Sequence, residues 1–265
     1  MDGAGTGWRV ALTFDDGYVD NLRLALPLLK KYRVPMTWFV CTRFVQEPDV
    51  LPWWDLIDYI RSQIRETLAF TSDGEHYEYN LKRPDDRERL LREQRPRFYG
   101  VSSAVRQCRQ NALEAAVREE TGTDLPSNGF ARPREVAQAA KSPWVTIGAH
   151  THTHQNMGVC SIEEASYELD QGRSLLECWT GQRIRWFAYP FGDPTAWKPR
   201  IAQMVKDKEF DGAFTLTPDH VEAAPHCQAI PRLAVSPQWS ISEVRARIFG
   251  TDLYRWGRAL KTWMQ

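Results

Sequence analysis

The sequence lacks a net charge, because its 34 Lys and Arg residues balance its 34 Asp and Glu residues. A balanced chain has no overall field that would draw it onto nucleic acid or anionic lipid, although a local patch can still exist. We therefore expect no nucleic-acid partner. The length of 265 residues accommodates one large domain or two small ones, and α/β barrels of this size commonly form one unit.

Long apolar runs and paired cysteines are also lacking. No apolar run approaches the ~18 residues that a membrane span requires, and residues 1–5 show neither the basic nor the apolar region of a signal peptide. The five cysteines are odd in number, scattered and without CxxC spacing, which argues against a disulfide framework and a structural zinc knuckle. We expect a cytoplasmic protein, while an anchor preceding this N-terminus stays an alternative.

Tryptophan, by contrast, is abundant, with eleven residues. Indole faces pack well on sugar rings, which slightly favours a carbohydrate ligand over a purely structural use. Near the C-terminus, residues 253–256 (LYRW) and 261–263 (KTW) combine aromatic and basic groups that can lie at a lipid surface. Peripheral membrane contact through a C-terminal helix is therefore an expectation, and docking of that helix on the domain explains the pattern equally.

The first part of the chain predicts a βαβ unit. Residues 8–14 form a short buried strand and residues 15–17 a turn. A helix follows from residue 20 or 21 to residue 31, and residues 36–40 form a second strand. Such a unit implies parallel pairing and a right-handed crossover. The helix would face the core with four residues at helical spacing: Leu22, Ala25, Leu26 and Leu29.

The same rhythm resumes at residue 144 and predicts an α/β barrel or a close relative. A strand at 144–148 precedes a capping box at Ser161–Glu164, and the next helix carries an apolar face at Ile162, Ala165, Leu169 and Leu176. The remaining predicted elements are strands at 184–188, 212–216 and 230–235, a helix at 195–206, and a helix capped at Ser240.

Residues 46–140 interrupt this rhythm. The sequence predicts a helix from residue 53, a hairpin at 70–79 around Asp73-Gly74, and two or three helices within 84–120. We interpret the segment as a mainly helical insertion after the second strand, or a lid, within one catalytic domain spanning residues 1–265. A solvated helical appendage is the alternative.

Two adjacent carboxylates, Asp15 and Asp16, follow the first strand directly. Because they repel each other and leave the backbone in different directions, one suits a cation and the other suits a free base. Asp is also favoured as a helix N-cap and in turns, so a structural role is the alternative.

Three of the six histidines lie in residues 150–154, HTHTH, just past a strand. Imidazole is the commonest protein metal ligand, and two histidines with one carboxylate form a catalytic zinc set that leaves a position open for water. His150 and His154 converge if the backbone turns between them. His152 lies on the same side as His150 if the segment is extended, so spacing alone leaves all three as candidates.

Residues 187–192, FAYPFG, follow another strand end. Their aromatic side chains could form an apolar wall for a sugar ring, and a turned backbone exposes N–H groups able to stabilise an oxyanion. An ordinary Pro-Gly turn is the alternative. In α/β barrels the chemistry lies on loops after the carboxyl ends of strands, and all three motifs fall there.

Residues 13–17 (TFDDG), 150–154 (HTHTH) and 187–192 (FAYPFG) resemble, in order and spacing, the first three motifs of the polysaccharide deacetylase family. This family is also called the NodB-homology or carbohydrate esterase 4 family. The resemblance covers residues 8–45 and 144–235 and leaves the middle segment outside. It implies a distorted (β/α) barrel and a sugar N-deacetylase.

The resemblance also implies residue roles. Asp15 would be the catalytic base, while Asp16, His150 and His154 would bind the metal and His152 would fall at a variable position. Substrate and oxyanion contacts would come from the third motif, where the backbone N–H near Phe191 helps form the oxyanion hole: Tyr189, Pro190, Phe191 and Gly192.

Two departures from the family pattern concern the base and the acid. The family's third motif carries an Arg that orients the base, and Ala188 occupies its place. Arg232 could supply that guanidinium from a later strand, or could pair with a structural carboxylate. The family's late Leu-x-x-His motif, which carries the general acid, has no clear match, and His220 and His226 are the remaining candidates.

The sequence thus predicts a metal-dependent hydrolase that removes an N-acyl group, by expectation acetyl, from an amino sugar of a polysaccharide, an oligosaccharide or a lipid-linked precursor in capsule or envelope synthesis. Zinc is the expected cofactor, with cobalt and other divalent ions as alternatives. The competing functions are a deformylase or other amidohydrolase and a carbohydrate-binding pseudoenzyme.

Overall fold

The computed structural model describes residues 9–122, 124–219, 221 and 227–249. Within them, a π-helical turn at Asn21–Ala25 leads directly into helix α1. The strands are β1 (Leu12–Phe14), β2 (Met36–Val40), β3 (Thr67–Ser72), β4 (Glu75–Asn80), β5 (Val145–Ala149), β6 (Trp186–Ala188) and β7 (Gly212–Phe214). The helices are α1 (Leu26–Tyr32), α2 (Thr42–Gln46), α3 (Trp53–Gln63), α4 (Pro84–Tyr99), α5 (Ser103–Thr121), α6 (Pro133–Ala139), α7 (Ile162–Thr180), α8 (Pro199–Asp207) and α9 (Ile241–Ile248).

Five strands form one parallel sheet in the order β1-β2-β5-β6-β7, which curls into half of a barrel. Met36 of β2 lies opposite Leu12 of β1 and Val145 of β5. Parallel neighbours require crossover connections, and helices such as α1 and α7 supply them. The predicted distorted α/β barrel is confirmed. Because all five strands run the same way, the loops after β1, β5 and β6 meet at one edge of the sheet.

The main core lies between this sheet and helices α1, α6, α7 and α8. The interior strand β2 lies between β1 and β5 and is buried on both faces, as parallel strands with helices on either side are. Its residues Trp38, Phe39 and Val40 have no exposed surface. On α1 the predicted inward face is confirmed, with Leu26 buried and Leu29 packed against the core.

Several predicted boundaries were wrong for physical reasons. β1 covers only Leu12–Phe14 and is half-buried, because it pairs on one side only. The predicted strand 230–235 is reduced to one bridge between Ile230 and Phe214. The helix predicted from residue 195 begins at Pro199, where a missing N–H costs nothing. Ile162 is 41% exposed, because it lies in the first helical turn beyond the core contact.

Residues 46–140 are mainly helical and have a second apolar cluster of their own. It is formed by α3, α4, α5 and the predicted hairpin β3–β4, whose turn residues Asp73 and Gly74 both have positive φ. Trp54 packs against this cluster and against the main core, which joins the two. The single-domain and lid interpretations stay predictions.

Among the described residues, no helix combines the length and the apolarity needed to cross a membrane. The aromatic and basic residues at 253–263 lie outside the described part of the chain, so the expected membrane contact stays a prediction.

The packing between β5 and β2 can be tested at Gly148, the fourth residue of β5. A Cβ at this position would lie 2.4 Å from Cδ1 and 2.5 Å from Cε1 of the fully buried Phe39 ring. Because overpacking a core typically costs about 1–3 kcal/mol, we expect Gly148→Ala to lower the free energy of unfolding by that amount in urea titrations. Gly100→Ala is the control, since a Cβ there meets nothing within 4 Å. Equal effects of the two substitutions would contradict the packing argument.

Candidate metal centre

Three side chains from two distant segments meet beyond the carboxyl ends of β1 and β5. Oδ1 of Asp16 lies 3.3 Å from Nε2 of His150 and 3.2 Å from Nε2 of His154. One ligand atom of each residue lies within 4.8 Å of the others. Both imidazoles are buried, while Asp16 keeps a partly open side.

The histidines converge because the backbone turns sharply between them. Thr151 has a φ of 63° and His154 a φ of 56°, a left-handed conformation that is uncommon outside glycine and unfavourable for a β-branched residue. Asp16 has a φ of 74°. Such backbone outliers cluster at functional sites. The turn brings His150 and His154 to Asp16, whereas His152 points elsewhere and its Nδ1 lies 2.9 Å from Oγ1 of Thr42. That the first two histidines bind a metal stays a prediction.

The pKa values of the three side chains are shifted by burial and by their mutual charges. Burial alone would raise the pKa of Asp16, but hydrogen bonds and charge from the two histidines outweigh burial and hold its pKa far below the usual range. Burial lowers the pKa of His154 despite the neighbouring Asp16, which favours a neutral ring. Burial opposes protonation of His150 as well, yet the negative charges of Asp15 and Asp16 raise its pKa.

Hydrogen bonding also selects the ring nitrogen that faces the centre. Nδ1 of His150 lies 2.8 Å from the carbonyl oxygen of Ala188. Since a carbonyl only accepts, Nδ1 carries the hydrogen in neutral His150 and Nε2 offers its lone pair to the centre. Two imidazoles and one carboxylate with an open side form a donor set that fits a divalent cation such as zinc.

The neighbouring carboxylate is held by Arg232. Its Nη1 and Nη2 donate to Oδ1 and Oδ2 of Asp15 at 2.7 and 2.8 Å, a bidentate pair that combines strength with a defined orientation. Arg232 also donates to the carbonyl of Thr215 and to Oγ1 of Thr13. The sequence left open whether Arg232 pairs with Asp15 or with a structural carboxylate, and in the structure it pairs with Asp15.

The third motif contributes less aromatic surface than expected. Tyr189 is fully buried in the core, and its hydroxyl donates to the carbonyl of Gln228 at 3.0 Å. Phe187 is fully buried too. Only Phe191 approaches the centre, with its ring centroid 4.9 Å from that of His154. The expected wall of several aromatic residues from this motif was therefore wrong.

The backbone N–H groups of this motif differ in their partners. The N–H of Tyr189 donates to the carbonyl of Phe214 and that of Gly192 to the carbonyl of Pro190, while proline has no N–H. In the part of the chain that the structure describes, the N–H of Phe191 has no hydrogen-bond partner, and its φ of 64° turns the backbone. Among the four candidate residues at 189–192, Phe191 is thus the one whose N–H can donate a hydrogen bond to a substrate oxygen.

Sequence reasoning missed a polar and aromatic group beside the centre. Trp54, from α3, lies with its ring centroid 4.6 Å from that of His154, and its Nε1 donates to the hydroxyl of Tyr18 at 2.7 Å. That hydroxyl donates to Asp55 at 2.8 Å. The pair of tryptophans at residues 53–54 was the only signal in the sequence. The candidate acids His220 and His226 lie outside the described residues.

The fold and this donor set define an α/β protein with a candidate hydrolytic metal centre, and the sequence comparison gives its family. The profile of the polysaccharide deacetylase family matches residues 2–93 and 98–225. The chain belongs to this family, and its activity is that of a deacetylase. The match includes most of residues 46–140, which the three motifs alone had left outside the resemblance.

Solved structures share the fold at low identity. The Streptococcus pyogenes deacetylase PplD, in complex with acetate, is 15% identical with a TM-score of 0.55 over 90% of this chain and 70% of its own. A de-N-acetylase from Aggregatibacter actinomycetemcomitans is 14% identical with a TM-score of 0.53, over 90% and 74%. A polysaccharide deacetylase from Bacillus cereus is 15% identical with a TM-score of 0.50, over 90% of this chain and 50% of its own. No curated protein sequence matches the chain.

The raised pKa of Asp55 leads us to expect that the free energy of unfolding depends on pH. Burial raises its pKa from 3.8 to about 6, against the hydrogen bond from Tyr18. The folded state therefore holds this proton more tightly than the unfolded chain. The resulting stabilisation is fully present below about pH 3.8 and is lost as the pH rises through about 6.

We expect Asp55→Asn to lose this dependence, so that the free energy of unfolding of the variant rises relative to the parent between pH 4 and pH 7. Urea titrations in the presence of a chelator measure it. Asp85→Asn, exposed on α4 and without influence on the pKa of Asp55, is the control. Parallel pH profiles for the parent and Asp55→Asn would contradict the assignment.

Proposed function

We propose that the chain is a metal-dependent hydrolase that removes an N-acetyl group from an amino sugar. One observation carries the proposal: Asp15, oriented by Arg232, stands directly beside the Asp16, His150 and His154 set. An oriented free carboxylate next to a cation site with an open side is the arrangement that metal-assisted amide hydrolysis requires.

In this scheme Asp16, His150 and His154 would hold the cation, and zinc fits this donor set. When bound, such an ion polarises the amide carbonyl and lowers the pKa of water. Asp15 accepts the proton of the attacking water. Its two oxygens have about four lone-pair sites, so the bidentate contact with Arg232 leaves room for that proton.

The oxyanion side of the site is assigned to Phe191. Its N–H has no partner among the described residues, so donation to the developing negative charge requires no bond to be broken. Water adds to the carbonyl carbon as its proton passes to Asp15, and the C–N bond then breaks as Asp15 returns this proton to the nitrogen, so the products are the carboxylic acid and the free amine.

The sugar as substrate is supported by the surroundings of His154. Trp54 and Phe191 contact this ring from the insertion and from the third motif. Aromatic side chains this close to a candidate ligand suit the apolar face of a pyranose ring or the methyl group of an acetyl. The missing motif arginine and the missing late histidine motif were the reasons for considering a pseudoenzyme. The pairing of Arg232 with Asp15 supports the enzyme by offering a guanidinium in place of the first.

The role of Asp15 is tested by Asp15→Asn. We expect the metal content to stay near that of the parent, while kcat for acetate release from chitooligosaccharides falls about 10²–10⁴-fold, the usual contribution of general acid–base catalysis. Metal content is measured by mass spectrometry of the purified protein. His154→Ala is the contrasting variant and should lose the metal. Unchanged turnover in Asp15→Asn would exclude this residue as the base.

Arg232→Lys tests the orienting contact separately. An ammonium keeps the charge but cannot donate in a bidentate fork, so we expect kcat to fall about 10-fold or more with little change in KM. Arg183→Lys, at an exposed ion pair with Glu209, is the control and should behave like the parent. If both lysine variants match the parent, the arginine does not orient the base.

The substrate class is tested with matched N-acetyl and N-formyl amino sugars, free and oligomeric, with added Zn²⁺ or Co²⁺. We expect faster release of acetate than of formate. Faster release of formate would favour the deformylase alternative, and binding without release would favour the carbohydrate-binding one.

A further inference from the structure

The loop that carries His150 and His154 is held from one side by a carboxylate of α7. Glu168 is buried, and its Oε2 accepts hydrogen bonds from the backbone N–H groups of His152 at 2.9 Å and Thr153 at 2.8 Å. Its Oε1 accepts from the hydroxyl of Thr153 at 2.6 Å. One side chain thereby satisfies two backbone donors that the sharp turn leaves without a secondary-structure partner.

The same loop is held from the other side by an arginine of α5, within residues 46–140. Arg106 is buried, and its Nη1 donates to the carbonyl of His154 at 2.9 Å. Its Nη2 donates to the carbonyl of Thr153 at 3.2 Å and to its hydroxyl at 3.0 Å. The hydroxyl of Thr153 therefore links the guanidinium and the carboxylate.

The close approach of α7 depends on Gly172. A Cβ there would lie 3.0 Å from the carbonyl carbon of Thr151 and 3.3 Å from the amide nitrogen of His152. Because Glu168 and Gly172 are one turn apart, the same helix face contacts the loop by packing and by hydrogen bonding. The left-handed residues Thr151 and His154 lie at either end of the segment so held.

We propose that Arg106 and Glu168 are positioning residues of the metal centre, and that α5 is therefore a structural support of that centre. This inference rests on the proposed function, because it assigns the support to the same Asp16, His150 and His154 site. Strained backbone persists only where its surroundings hold it. Without the arginine, the carbonyls of Thr153 and His154 lose their buried donor, and Glu168 loses a nearby positive charge.

This role separates two interpretations of residues 46–140. A lid that only covers the substrate could lose its contacts with the loop while the metal ligands stayed in place. A segment that supports the loop cannot lose these contacts without moving a candidate ligand, because Arg106 donates its hydrogen bond to the backbone of His154.

The test compares Arg106→Met with Arg109→Met. The second residue lies on the same helix and is largely covered, but its Nε donates to Asp73 of the hairpin at 2.6 Å and not to the histidine loop. Both substitutions remove one guanidinium from α5 and keep an unbranched apolar side chain. Arg106→Lys serves as the conservative variant, since a single ammonium can replace part of the lost donation.

Two measurements are made on each full-length variant. Visible absorption on titration with Co²⁺ gives the dissociation constant of the metal, and hydrogen–deuterium exchange of the metal-free protein gives the protection of residues 150–156. For Arg106→Met we expect about 10–100-fold weaker Co²⁺ binding, the usual effect of losing a partner of a ligand, together with faster exchange in this segment. Arg106→Lys should be intermediate, and Arg109→Met should match the parent in both measurements.

Equal Co²⁺ affinity and equal exchange in Arg106→Met and the parent would overturn the proposal. So would equal losses in both methionine variants, because these would reflect general destabilisation of α5. If the parent itself binds no Co²⁺, the proposed metal-dependent function fails, while the exchange measurement still decides whether Arg106 holds the loop.

Discussion

The turn at residues 150–154 is the feature on which the site depends. It places the Nε2 atoms of His150 and His154 on the same carboxylate oxygen of Asp16, at 3.3 and 3.2 Å. Left-handed backbone at Thr151 and His154 makes this possible and is unfavourable by itself. The rest of the local structure compensates: a buried carboxylate binds the free N–H groups, a buried guanidinium binds the carbonyls, and Gly172 lets α7 approach the loop.

The chemistry is arranged around that turn by the direction of the strands. β1, β5 and β6 run parallel, so Asp15 and Asp16, the histidine loop and Phe191 lie at one edge of the sheet. Arg232 reaches the same edge from the segment after β7. The third motif, at the end of β6, has Ala188 in the place of the family's arginine. A guanidinium can thus reach Asp15 from a part of the chain outside the third motif.

Residues 46–140 take part in the site through three helices. α3 contributes Trp54 beside His154, α4 contributes Tyr99, whose ring meets that of Phe191, and α5 contributes Arg106 beneath the histidine loop. Trp54 also packs against both apolar clusters. The segment is thus continuous with the rest of the molecule in packing and hydrogen bonding, whatever further role it has over a substrate.

The sequence by itself determined the α/β class, the parallel order implied by βαβ units and the three motifs, because strand and helix periodicities and turn residues are local properties. It left the choice among the three histidines open, since that choice depends on two φ angles that no pattern encodes. It gave no sign of Arg106 and only a weak one of Trp54, because charge-rich helices usually face water. Glu168 lies between Ala165 and Leu169 on the buried face of α7, and no sequence pattern distinguishes it from a solvent-facing glutamate. Only the tertiary structure decided these points, because burial and hydrogen-bond partners depend on segments that are far apart in the chain.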